Sequence, residues 1–165
     1  MRQQVRLMEK TVHEQRPKPK VTGPWSVEQI ETYLQATVIP IRLSVLGPSG
    51  DPIVASHWFT YDNGVLRCAV RSGSFLDRCL TANGACGFEI ARDDPPYRGV
   101  RGRGDATLSS DRDKALLKSL HDRYLGEDNT AFRQWLLTQD REETEVSIEP
   151  THWTSWDYTS RMTKI

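Results

Sequence analysis

The sequence is short of the residues that mark several functional classes. Its 165 residues hold three cysteines, Cys68, Cys79 and Cys86, with no CxxC spacing. An odd set without a framework argues against disulfides and points to a cytoplasmic setting, with all three packed on apolar faces. The four histidines are scattered with no ligand pair at helical or hairpin spacing, so no zinc site is expected. No apolar run approaches the roughly 18 residues of a membrane span, and the first residues lack the apolar stretch of a secretory signal. Charge is balanced, at 22 basic and 22 acidic residues. The chain therefore carries no global field for nucleic acid or a membrane surface. GxSxG, P-loop and HExxH motifs are all missing, and nothing in the spacing brings a serine, a histidine and an aspartate together.

What is present is a regular run of short strands. Residues 1–22 are charged and contain prolines, which reads as a flexible arm, and 23–165 as one domain. Ser26 with Gln29 three residues on has the spacing of a helix-capping box, and Val27, Ile30, Tyr33 and Leu34 make one apolar stripe. That helix is predicted to end near Thr37. Strands are predicted over 39–46, 53–61, 65–71, 86–90, 100–108 and 144–149, with Asn63-Gly64 as a hairpin turn. A helix follows the third strand and stops near Asn83-Gly84. Two further helices, 111–124 and 131–137, carry the stripes Leu116, Leu117, Leu120, Tyr124 and Phe132, Trp135, Leu136. Turns too short for crossovers between the first strands favour a mainly β fold, a small antiparallel barrel flanked by helices.

The stretch VLRCAVRSGSFLDRCL, from Val65 to Leu80, carries the main chemical signal. Leu66, Cys68 and Val70 alternate with polar or small residues, and Ser74 opens a helix with Asp77 three residues on. Free backbone amides, two hydroxyls and the arginines Arg71 and Arg78 would converge there, as they do around a bound phosphate. A capped helix with surface arginines is the plainer reading of the same residues. Arg98, Arg101 and Arg103 make a basic patch that is either a solvated strand face or an anion contact. The glycines among them, Gly99, Gly102 and Gly104, point to a barrel corner or to a close approach of ligand or subunit. Asp93-Asp94 reads as a solvated turn rather than an acid/base pair.

Taken together, IPIRLSVLGPSGDPIVASHWFTYDNGVLRCAVRSGSFLDRCL and GACGFEIARDDPPYRGVRGRGDATL resemble the pyridoxamine 5'-phosphate oxidase-like family of FMN-binding split barrels, over roughly residues 26–108. The resemblance implies a six-stranded antiparallel split barrel that pairs as a homodimer with its cofactor at the interface. FMN is the usual cofactor, one branch uses the deazaflavin coenzyme F-420, and some relatives bind haem. Phosphate would lie against Val70, Arg71, Ser72, Ser74 and Arg78. Ser56, His57 and Trp58 would edge the isoalloxazine ring, with Leu43 and Ser44 lining the same pocket, and Arg101 and Trp156 meeting cofactor or substrate. Leu76 stands where many relatives carry a lysine, and Asp77 adds a negative charge beside it. The expected function is a flavin-dependent oxidoreductase acting on a small molecule. The alternatives are a deazaflavin-dependent reductase and a non-catalytic flavin-, haem- or partner-binding protein. Trp153, Trp156 and Tyr158 are expected either at the dimer interface or pocket lid, or buried within one chain.

Overall fold

The computed structural model describes residues 17–163 with the exception of 127. Most of the expected N-terminal arm therefore lies outside the described residues. Its last part, Lys20–Thr22, is a strand, β1, paired in parallel with the last long strand.

The local signals read from the sequence work as physical devices. Helix α1 spans Val27–Ala36, and both halves of its capping box are made: Ser26 Oγ accepts from the Gln29 amide, and the Gln29 side chain accepts from the Ser26 amide. Ile30 and Leu34 then bury one face of the helix. Strands β2 (Ile41–Leu46) and β3 (Pro52–His57) pair antiparallel. The expected second strand breaks at Trp58, and β4 (Thr60–Asp62) turns at Asn63-Gly64 into β5 (Val65–Arg71). Both turn residues have positive φ, 50° and 78°.

Helix α2 (Phe75–Ala82) buries Leu76, Cys79 and Leu80. It ends on Asn83 in an extended conformation rather than the expected left-handed stop. Strand β6 (Ala85–Ala91) leads to β7 (Arg98–Ser110), a short 3-10 turn (Arg112–Lys114), α3 (Ala115–Leu125) and α4 (Thr130–Thr138). The final strand, β8 (Glu143–Asp157), is far longer than its alternating stretch 144–149 suggests, because β7 pairs with it along nearly its whole length.

The sheet order is β3-β2-β6-β7-β8-β5-β4, with β1 beside β8. There are thus eight strands among the described residues instead of six, since one expected strand is split and part of the arm adds another. All pairings but β1–β8 are antiparallel. The architecture is a mainly antiparallel split barrel with helices outside. Phe59, Leu66, Ile90, Val100, Val146 and Ile148 fill its interior together with the buried faces of α1 and α2. A bulge at Arg103/Gly104 bends β7 across β8. A Cβ on Gly102 or Gly104 would run into the carbonyl oxygen of His152 or Glu149. The backbone that comes close to these glycines is therefore the chain's own β8.

Candidate functional site

Two adjoining depressions lie at the end of β3. The first, about 280 Å³, is lined by Ser56, His57, Trp58, Ala69, and the apolar side chains Leu117, Leu120, Phe132 and Leu136. The second, about 720 Å³, shares Pro40 and Ser56 with it and is bounded by Arg42 and residues 91–94. The first wall is apolar; the second is ionic. Arg42 lies between Glu89 (3.4 Å) and Asp93 (2.7 Å), and Arg92 pairs with Asp94 at 2.8 Å. The two aspartates read as a solvated turn are thus both partners of arginines.

Trp58 is held by α3. The Tyr124 ring stacks on it, with centroids 5.3 Å apart and planes 16° from parallel. The Tyr124 hydroxyl donates to the Ile39 carbonyl (2.8 Å) and accepts from the Phe59 amide (3.1 Å). His121, fully buried, meets Trp58 edge-on and stacks against Phe132. Burial pushes the His57 imidazole below its usual pKa, so near neutral pH it is an uncharged donor and acceptor.

Ala69, in the floor of the apolar cleft, and Arg71 lie two apart on β5 and share its outward face. One face of β5 therefore runs from the cleft to the turn that opens α2. There Arg71 is exposed with no side-chain partner among the described residues. Ser72 Oγ contacts Thr144 Oγ1 at 2.8 Å. Gly73 has φ +70° and nothing within 4 Å of where a Cβ would stand. Ser74 caps the helix through the Asp77 amide. The Asp77 carboxylate holds the Gly73 N–H, and the Arg78 guanidinium donates to the Gly73 carbonyl, each at 2.5 Å.

This arrangement fits a phosphate group. Arg71 supplies a cation unengaged among the described residues, and Gly73 leaves open space beside a hydroxyl. Leu76, at the position of the expected cation, is 8% exposed and belongs to the core.

The other expected site residues are placed differently. Leu43 (0% exposed) and Val70 (4%) point into the barrel, because they sit on the inward face of β2 and β5. Their side chains are core, so Leu43 does not line the pocket and Val70 would meet a phosphate only through its backbone. Ser44 faces outward but borders a separate hollow with Gly87 and Arg103. Arg101 is exposed on β7 opposite Glu89 and Thr154, and Trp156 pairs with Gly99; neither lines the cleft. Trp153 is buried within the chain, against Phe88 and Tyr61, whereas Tyr158 is exposed. The cleft wall from α3 and α4 was missed. Its apolar stripes were legible, but not the strand against which they pack.

No family model matches the sequence, and no curated protein matches it. Solved structures do. An F420 reductase is 25% identical, covering 78% of this chain and 98% of its own, with a TM-score of 0.63. A conserved hypothetical protein of Mycobacterium tuberculosis is 19% identical over 88% of this chain and 93% of its own, with a TM-score of 0.68. A Listeria innocua protein named for pyridoxamine 5'-phosphate oxidase is 15% identical over 78% and 95%, with a TM-score of 0.59. With its curled antiparallel sheet, its external helices and these likenesses, the chain has the split-barrel fold of pyridoxamine 5'-phosphate oxidase-like proteins.

Proposed function

We propose that the protein is a flavin-dependent oxidoreductase that holds FMN between two copies of the chain and acts on a small molecule. The observation that carries this reading is the continuity of the Ser56–His57–Trp58 cleft with the Arg71 turn along β5. A flavin has that shape: a planar ring at one end and a phosphate at the other. Arg71, Ser72 and Gly73 would hold the phosphate, and Arg78 would join them on leaving the Gly73 carbonyl. Trp58, fixed by Tyr124, walls the ring; neutral His57 offers it a hydrogen bond; Leu117, Leu120, Phe132 and Leu136 keep water away. FMN, once bound, supplies the hydride chemistry, and the chain supplies orientation and a dry surface. Exposed Leu46 and Val54, beside the open edge at β3, support the homodimer.

A deazaflavin-dependent reductase is the second reading. The 25% identity to an F420 reductase favours it, as do Arg101 and Arg103, exposed on β7 and each without a carboxylate partner among the described residues. Titration with FMN and with the deazaflavin, followed by tryptophan fluorescence, separates the two. Tight FMN binding by a dimer supports the first; binding of the deazaflavin alone supports the second. A colourless monomer indifferent to both overturns both.

A further inference from the structure

A second cavity, about 400 Å³, shares no lining residue with the Ser56–Trp58 cleft. It opens between α1, the β4–β5 turn and strands β7 and β8. Ile30, Tyr61 and Trp153 form its buried walls, and Glu31, Asp105 and Glu149 are its charged groups. No lysine, arginine or histidine lines it among the described residues.

The Tyr61 and Trp153 rings meet at 79° with centroids 6.5 Å apart, so they form a corner rather than a stack. Glu31 is half-buried on α1 and accepts the Tyr61 hydroxyl at 2.9 Å through Oε1. No cationic side chain among the described residues pairs with Glu31. Burial and the Glu31 carboxylate together push the Tyr61 phenol upward, so it stays protonated and donates to Glu31 across the working pH range. A half-buried carboxylate without a counter-charge is costly, and two aromatic rings line the same cavity. A ligand that answers both features is apolar in body and positively charged.

We infer that the cavity bounded by Glu31, Tyr61 and Trp153 is a binding site for a small organic cation, an alkyl- or aryl-substituted ammonium. The apolar body lies against Ile30 and Trp153, and the ammonium head is directed to Glu31, with Asp105 adding negative potential. The chain as a whole is uncharged, so selection for a cation comes from this lining alone. The site stands whether or not the protein uses a flavin.

Isothermal titration of the full chain with benzyltrimethylammonium tests the inference, with 2-phenylethanol and phenylacetate as neutral and anionic counterparts. The cation is expected to bind saturably, more weakly as salt rises, and at least about tenfold more tightly than either counterpart. Glu31→Gln keeps an acceptor for the Tyr61 hydroxyl and removes the charge; it should weaken cation binding by about tenfold. Asp105→Asn, on an exposed side chain, should weaken it less. Circular dichroism checks that each variant is folded. Equal affinity for 2-phenylethanol, no saturable heat with the cation, or unchanged binding in both folded variants overturns the inference. FMN binding, measured separately, bears only on the oxidoreductase reading.

Discussion

The Asp77 carboxylate accepts a hydrogen bond from the Gly73 amide at 2.5 Å, so helix α2 carries its own anion at its first turn. The side chain that a bound phosphate would compete with lies within the same stretch, 71–78, that would bind it. Carboxylates at a helix start satisfy free amides and the helix dipole.

Replacing Asp77 by alanine frees the Gly73 amide and removes a repulsive charge. Asp77→Ala should lower stability by about 0.5–2 kcal/mol and tighten FMN binding by about tenfold, the size of one charge-assisted hydrogen bond. Riboflavin, which lacks the phosphate, should bind both forms alike. Flavin fluorescence quenching measures the two affinities and a denaturant titration the stability, and an unchanged ratio of FMN to riboflavin affinity removes Asp77 from the phosphate site.

Tyr124→Phe keeps the ring stacked on Trp58 but deletes one hydrogen bond donated and one accepted. The Phe59 amide and the Ile39 carbonyl then lose their partner. The expected loss is about 1–3 kcal/mol in a denaturant titration. Trp58 emission should shift as its wall loosens.

His57 gives stability a pH dependence of known sign. Burial lowers its folded pKa below the ordinary imidazole value of 6.5, so at acid pH the unfolded chain binds the proton more readily. The contribution is fully present above about pH 6.5 and is lost as pH falls toward the depressed folded value. Thermal melts from pH 8 down to 5 should show that decline. A His57→Gln variant should flatten this part of the curve; an unaltered profile assigns the decline to other groups.

Two glycines on neighbouring strands should respond unequally to alanine. At Gly102 the new methyl would run into the His152 carbonyl oxygen and lie 2.6 Å from the Phe88 ring, both fixed in the barrel. A destabilisation of about 1–3 kcal/mol or more is expected. At Gly87 the nearest atoms are 3.8 and 3.9 Å away, so Gly87→Ala should stay within about 0.5 kcal/mol. Comparable melting temperatures for the two variants would contradict the β7–β8 packing described above.

Much of the barrel was legible because its determinants are local. Alternation set the inward faces of β2, β5 and β6, and the devices at Ser26, Asn63-Gly64 and Ser74 act within three or four residues of themselves. The extent of β8 was not legible, since Pro150 is a residue that disfavours strands, the alternation slips at Thr151 and His152, and only the pairing with β7 carries the strand past them. The same holds for the start of α3. Asp111 accepts the amides of Leu116 and Leu117, five and six residues on, across two residues with positive φ. No capping spacing announces that arrangement.

By itself the sequence determined a mainly antiparallel barrel, its first helix, and a turn rich in phosphate-binding groups, because each follows from periodicity or from neighbours in the chain. Tertiary structure alone decided which side chains share a cleft. It turned Leu43 and Val70 into core, because residues on one strand alternate between faces. It brought Tyr124 onto Trp58 and Glu31 onto Tyr61, contacts between residues 66 and 30 positions apart. Such contacts arise only when the whole sheet has curled, and chain spacing does not encode that curvature.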